Sequence, residues 1–202
     1  TTGSEQAIRR SAETRAAVRT LYSDPAEAAR VKALLVAPEV TDAREKRQLT
    51  LVDLAYTGNQ LAPETIEVLS RREGELERVF YIFRAPFEGG HASNNELLDV
   101  LRTEQSEARR RSAWEASKLV AREVEVPLRD LIRERNRAAR SLGFESYYSM
   151  ELALQEIDES ALFELIDDFK AETDPGFRQL RGEMDGSLAD RFGVSVDALY
   201  PW

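Results

Sequence analysis

Residues 114–143 read WEASKLVAREVEVPLRDLIRERNRAARSLG. The stretch begins as a helix, meets Pro127, and resumes as a second helix carrying Asn136-Arg137-Ala138-Ala139-Arg140 before stopping at Gly143. Proline lacks an amide proton and its ring clashes with the carbonyl four residues back. A helical run from about Thr103 to Leu142 must therefore kink or split at Pro127. No residue in the stretch is an obvious catalyst.

Working outward, nearly everything else also reads as helix. Residues 4–22 form a first one. Asp24-Pro25 opens a second, with Asp at the N-cap and Pro at the first helical position, and it runs to about Ala37. A third spans about Thr41 to Gly58, with Leu49, Val52, Leu54 and Tyr56 as its apolar stripe. Pro63 starts a fourth, which places Ile66, Leu69, Leu76, Val79, Phe80 and Phe83 at helical spacing. Residues 85–92 (APFEGGHA) read as a loop, and Ser93-Asn94-Asn95-Glu96 is a capping box. Ser146 starts a short helix through Gln155. Asp158 caps the next, with Leu162, Phe163, Ile166 and Phe169 on one face. Asp174-Pro175 repeats the Asp-Pro opening for a helix ending at Gly193, and Ser195 caps one more turn. Alternating β-branched runs bounded by turn residues are missing. The expected fold is all-α, one continuous unit over 1–202, without repeats or a disordered linker.

The chain has 202 residues, 32% charged and 42% hydrophobic, an ordinary balance for a helix-rich domain with a real core. No run of about 18 apolar residues suggests a transmembrane helix, and no basic-then-apolar leader is visible. With no cysteine, disulfides, thiolate metal sites and cysteine nucleophiles are excluded together; a cytoplasmic location is expected. The net charge of −9 is uneven. Residues 102–140 hold 11 Arg/Lys against 7 Asp/Glu, whereas residues 141–202 hold 4 against 14. These segments attract each other, face different partners, or are simply solvated helix faces, the last being the plainest reading.

Residue chemistry alone reveals no active site. His91 is the only histidine, which excludes H-E-x-x-H and the Glu-x-x-His constellation of di-iron bundles. Phosphate-binding glycine motifs are absent. The carboxylate pairs Glu156/Asp158/Glu159, Asp167/Asp168 and Asp185/Asp190 read as caps and i,i+4 partners rather than metal ligands. Arg109-Arg110-Arg111 lies among Glu104, Glu107 and Glu115 in an acidic chain, so no nucleic-acid partner is expected. Tyr147-Tyr148 either present hydroxyls to a cleft or pack with the hydroxyls at the core edge, and packing is favoured.

The order of residue types nevertheless resembles a family. Trp114-Glu115-Ala116-Ser117-Lys118, then Pro127, then Asn136 through Gly143 are similar to the N-terminal half of zinc metallopeptidases related to angiotensin-converting enzyme and the oligopeptidases, which carry a tryptophan-rich helix, a proline and an N-x-A-A-R-x-x-G stretch in this order. EGELERVFYIFRAPFEGG (73–90), Tyr147-Tyr148-Ser149-Met150, Gln155 to Glu159 and the Pro201-Trp202 pair resemble further segments of the bacterial, soluble branch, so the likeness covers about residues 30–202. The resemblance implies a multi-helix N-terminal lobe, lid plus cleft wall, of a two-lobed enzyme that hydrolyses short peptides as a peptidyl-dipeptidase or oligopeptidase. It implies a zinc ion held by H-E-x-x-H and a later glutamate in the other, catalytic lobe, with no zinc bound by this chain and no catalytic residue in it. The partners so implied are a short peptide, the catalytic lobe packed on an apolar face, and self-association of the isolated chain through that face; no membrane partner is implied. Asn94, Asn95, Tyr147 and Tyr148 are the positions expected nearest the cleft. Tyr148 stands near the counterpart of an arginine that helps hold a chloride in the animal enzymes, so chloride activation is not expected. The terminal Tyr200-Pro201-Trp202, two aromatics without a polar tail, reads as a cut. The alternative is a free-standing helical protein-interaction domain.

Overall fold

The computed structural model describes residues 5–202, and these are mostly helical. In order they form α1 (Glu5–Leu21), α2 (Pro25–Leu35), α3 (Ala43–Asn59), α4 (Pro63–Ile82), a two-stranded hairpin β1 (Ala85–Phe87) and β2 (Gly90–Ala92), α5 (Asn94–Thr103), α6 (Glu107–Lys118), α7 (Val120–Ser141), α8 (Tyr147–Leu154), α9 (Glu159–Phe192) and a 3₁₀ turn (Val196–Ala198). The expected helix start at residue 4 lies outside the described residues. No described helix is long and apolar enough to cross a membrane. The chain divides into two compact units: residues 1–83 with 120–157, and residues 84–119 with 158–202.

The caps follow the local chemistry. Asp24 accepts from the amides of Ala26 and Glu27, and Pro25 occupies the first helical position where its missing N–H costs nothing. Asp42, Ser146 and Asp158 cap α3, α8 and α9 in the same way. Ser93 and Glu96 satisfy each other's backbone amides, so the expected capping box is present at α5.

Ser195 stands before the 3₁₀ turn without a side-chain cap bond to it, and three further expectations are overturned. The segment 85–92 is a β-hairpin, with Ala85 opposite Ala92 and Phe87 opposite Gly90. Glu88 (φ 51°) and Gly89 (φ 78°) both turn left-handed, as a tight two-residue hairpin connection requires. The signal is weak because three residues per strand leave no room for alternation. The long helical run breaks at Leu119, not at Pro127. The Ser117 hydroxyl bonds the Trp114 carbonyl at 2.6 Å, and the Leu119 amide bonds Ala116 instead of the residue four back. This break is also where the chain passes from the second unit to the first. Pro127 sits inside α7, in a segment where none of residues 121–126 is buried. Likewise Pro175 does not open a helix but lies inside α9, and Asp174 is held by Lys170 and Arg178 one turn away on either side rather than acting as a cap.

In the first unit α4 is central, packed on α1 and α7. Leu69, Leu131 and Ala138 are buried together, with Leu61 and Leu76 against them. Ile66 is also buried. At about 25 cal/mol per Å² of apolar surface, burying each such Leu or Ile contributes roughly 1.5–3 kcal/mol. Close crossings depend on glycine: a Cβ at Gly74 would stand 3.2 Å from that of Ala12 on α1, and one at Gly58 would meet Leu154 of α8 at 2.5 Å. In the second unit, Ala85, Ala92, Leu97, Ala113 and Ala116 are buried, and β1 packs on α6.

Candidate functional site

The densest polar arrangement in the first unit surrounds Glu73, a buried carboxylate on α4. Glu73 follows Leu69 by four residues and precedes Leu76 by three, which places it on the apolar stripe of its own helix. Arg19 of α1 donates to its Oε1 at 3.0 Å and to Ser70 Oγ at 3.1 Å. Arg135 of α7 donates to the same oxygen from Nη2 at 2.8 Å and from Nε at 3.3 Å. Arg15 stands 3.9 Å from the other oxygen and makes a two-pronged pair with Glu77 at 3.0 and 3.1 Å. Burial pushes the Glu73 carboxyl up, but the hydrogen bonds and charges of Arg19 and Arg135 outweigh it and hold the group below the usual carboxylate range. Ionised Glu73 thus ties α1, α4 and α7 together. Two arginines hold Oε1 and keep the group ionised, so its role is anchoring.

Tyr147 adjoins this cluster through Arg135, whose guanidinium lies 4.9 Å from the ring centre. Its backbone N–H donates to Asn136 Oδ1 at 2.9 Å. Burial first, then hydrogen bonding to Glu151 and that residue's charge, push the phenol up to about 12. Tyr147 therefore stays protonated and donates. Tyr148, its neighbour, is half exposed.

The stretch 136–143 acts through structure. Asn136 caps the start of α8 through the Tyr147 amide, Ala138 and Ala139 are buried, Arg140 Nε donates to the Glu145 carbonyl at 3.2 Å, and Gly143 takes φ 91°. Beside it Arg133, Asn136, Arg137 and Arg140 line a basic recess of about 400 Å³. Arg133 and Arg137 also pair with Asp130 and Glu134 one turn back.

In the second unit, Asn94 and Asn95 are exposed in the first turn of α5, and His91 is exposed on β2 opposite Pro86. Arg109 and Arg111 of the arginine run are engaged in ion pairs. Arg109 binds Glu88 of the hairpin turn and Glu104, whose carboxyl is held at about 2 chiefly by the Ser106 amide and then by Arg109. Arg111 pairs with Glu115 and lies 5.2 Å from the Trp202 ring centre. Trp202 in turn packs on Trp114 at 5.5 Å and stacks on Tyr200 at 4.7 Å, which anchors residues 200–202 to α6. Of the acidic pairs, Glu156 binds Arg47, Asp158 caps α9 and Asp185 pairs with Arg181. Among the described residues no group of three or more His, Asp or Glu side chains is arranged to hold a metal.

The first unit therefore brings Tyr147 to Asn136, Arg135 and Glu73, while Asn94 and Asn95 stand without such a cluster. Glu73 was missed from sequence, although an acid inside an apolar stripe is the signal that marks it. Comparison with protein-family models, with curated proteins and with solved structures returns no match to this chain.

Proposed function

We propose that this chain is the N-terminal, non-catalytic part of a zinc-dependent peptidase acting on short peptides, with the zinc and its ligands in a catalytic lobe outside these 202 residues. The observation that carries the reading is the use of the 136–143 string. Asn136, Ala138, Ala139, Arg140 and Gly143 each have a local structural task in joining α7 to α8. That is what the resemblance requires of a motif whose order is kept without chemistry of its own. Asn94, Asn95 and Tyr148, all exposed, are the proposed peptide-contacting positions, each within its own unit. Tyr147 serves as a positioning residue, held from both sides by Asn136 and Arg135.

The test is zinc content and peptide cleavage, with the 202-residue chain compared with a form extended by its natural downstream coding sequence. The short chain binds no stoichiometric zinc and cleaves nothing, and the extended one does both. Tight zinc on the short chain, or downstream sequence without H-E-x-x-H, overturns the reading. The second reading, a helical protein-interaction domain, is favoured by the apolar residues exposed along α9. A natural stop codon after Trp202 would select it.

A further inference from the structure

The helix α9 carries Phe163, Ile166, Phe169, Phe177, Leu180, Met184 and Phe192, each between 48 and 66% exposed. At 100° per residue these positions fall on one broad stripe, with Thr173 continuing it between Phe169 and Phe177. Glu164, Asp168, Glu172, Glu183 and Asp190 lie on the other side, whereas Lys170, Asp174, Arg181 and Arg191 fall within the stripe or at its edge.

The composition of α9 makes this exposure costly. Its interior holds Pro175, Gly176, Gly182 and Gly186. Each glycine is about 1 kcal/mol, and the proline about 3 kcal/mol, less favourable than alanine in a helix. Among these glycines none has another atom within 4 Å of its would-be Cβ, so none is explained by a close crossing. Helices in proteins draw most of their stability from packing an amphipathic face. One this long and this poor in intrinsic propensity needs its stripe covered.

We infer that the apolar stripe of α9 is a self-association surface on which a second copy of the chain lays its own α9 antiparallel. Area supports it: at about 200 Å² per large apolar side chain, the seven residues present on the order of 700 Å² per copy, close to the roughly 800 Å² per partner of a standard stable interface. Charge sets the direction. Residues 159–176 hold six acids against Lys170 alone, whereas residues 177–192 hold three acids and three arginines. A parallel pair would set the acidic halves side by side. An antiparallel pair sets each acidic half against the neutral, arginine-bearing half and brings Phe163 toward Phe192 of the other copy. The inference concerns a surface and does not rest on the peptidase reading.

The test is sedimentation equilibrium of the 202-residue chain over a range of concentrations, with far-UV circular dichroism. The expected result is a monomer–dimer equilibrium. The double substitution Phe169→Lys with Phe177→Lys weakens it by about 100-fold or more, and the milder Phe169→Ala with Phe177→Ala weakens it in the same direction. Because the chain lacks cysteine, direction is read by oxidation. A mixture of F163C and F192C protein gives the mixed disulfide dimer if the helices are antiparallel. A chain monomeric at every concentration, a dimer indifferent to both double substitutions, or cross-linking of F163C chiefly to itself overturns the inference.

Discussion

Glu73 in the first unit and Glu104 in the second each hold arginine, yet burial makes them different objects. Glu73 lies inside the packing of α1, α4 and α7, and Arg19 and Arg135 converge on it from two other helices. Glu104 lies between α5 and α6, half-buried, where the amides of Gln105 and Ser106 and the side chain of the exposed Arg109 surround it. Out of water, an ion pair left without one partner strands the other charge, which is far more costly than losing the attraction itself. Where one partner is exposed, water takes over whatever contact is lost and salt screens the rest. The same residue types therefore hold a fold together in one unit and trim a turn in the other.

The sharpest way to break the comparison is Glu73→Ala, which leaves Arg19 and Arg135 facing each other without their counter-charge. It should cost about 3–5 kcal/mol of stability in urea denaturation; a loss comparable to that of a surface substitution would show that the cluster is solvated. Its pH dependence follows from the direction of its shift. The folded carboxyl is held below its usual range, so its contribution is fully present above the unfolded value and disappears as pH falls through the folded one. The wild-type chain should thus lose stability on acidification, and Glu73→Gln should flatten that loss.

Leu131→Ala tests whether apolar packing around the cluster rivals the charges. Leu131 is 2% exposed between Leu69 and Ala138, and its truncation should cost about 2–5 kcal/mol. In the second unit, Ser93→Ala removes the capping box at α5 and should cost about 1 kcal/mol, seen as faster amide exchange in residues 94–97. Arg109→Ala has the smallest expected effect, leaving the unfolding midpoint unchanged. Its signature is local: the Glu104 carboxyl, titrated by NMR, should rise from about 2 toward the ordinary glutamate range, with the backbone amides still holding it partly down.

Where chain-local physics decides an element, it was legible. Asp24-Pro25, Asp158 and the Ser93–Glu96 box carry their caps within four residues, and all three begin helices as expected. Prolines misled for a related reason. A proline marks a cost to helix, but whether the helix ends there depends on what the chain gains by continuing. At Pro127 and Pro175 the helix continues. At Leu119 the amide turns to the carbonyl three residues back, a local change that no periodicity displays. The hairpin was hidden by its brevity and by Glu88, a non-glycine residue in a left-handed turn position. Of the candidate positions, the Tyr147 neighbourhood could be assembled only by helices distant in sequence, since Glu73 and Arg135 are 62 residues apart.

The sequence by itself determined that this protein is helical, where most of its helices start, and that its single histidine cannot complete a two-histidine zinc motif. Those are matters of hydrogen-bond supply and residue count, settled within a few positions along the chain. Only the tertiary structure decided which charges are buried, because an acid on a helical stripe is solvated or enclosed according to what packs over it. It also decided that Glu73, rather than any residue of the 114–143 stretch, is the point on which three helices converge.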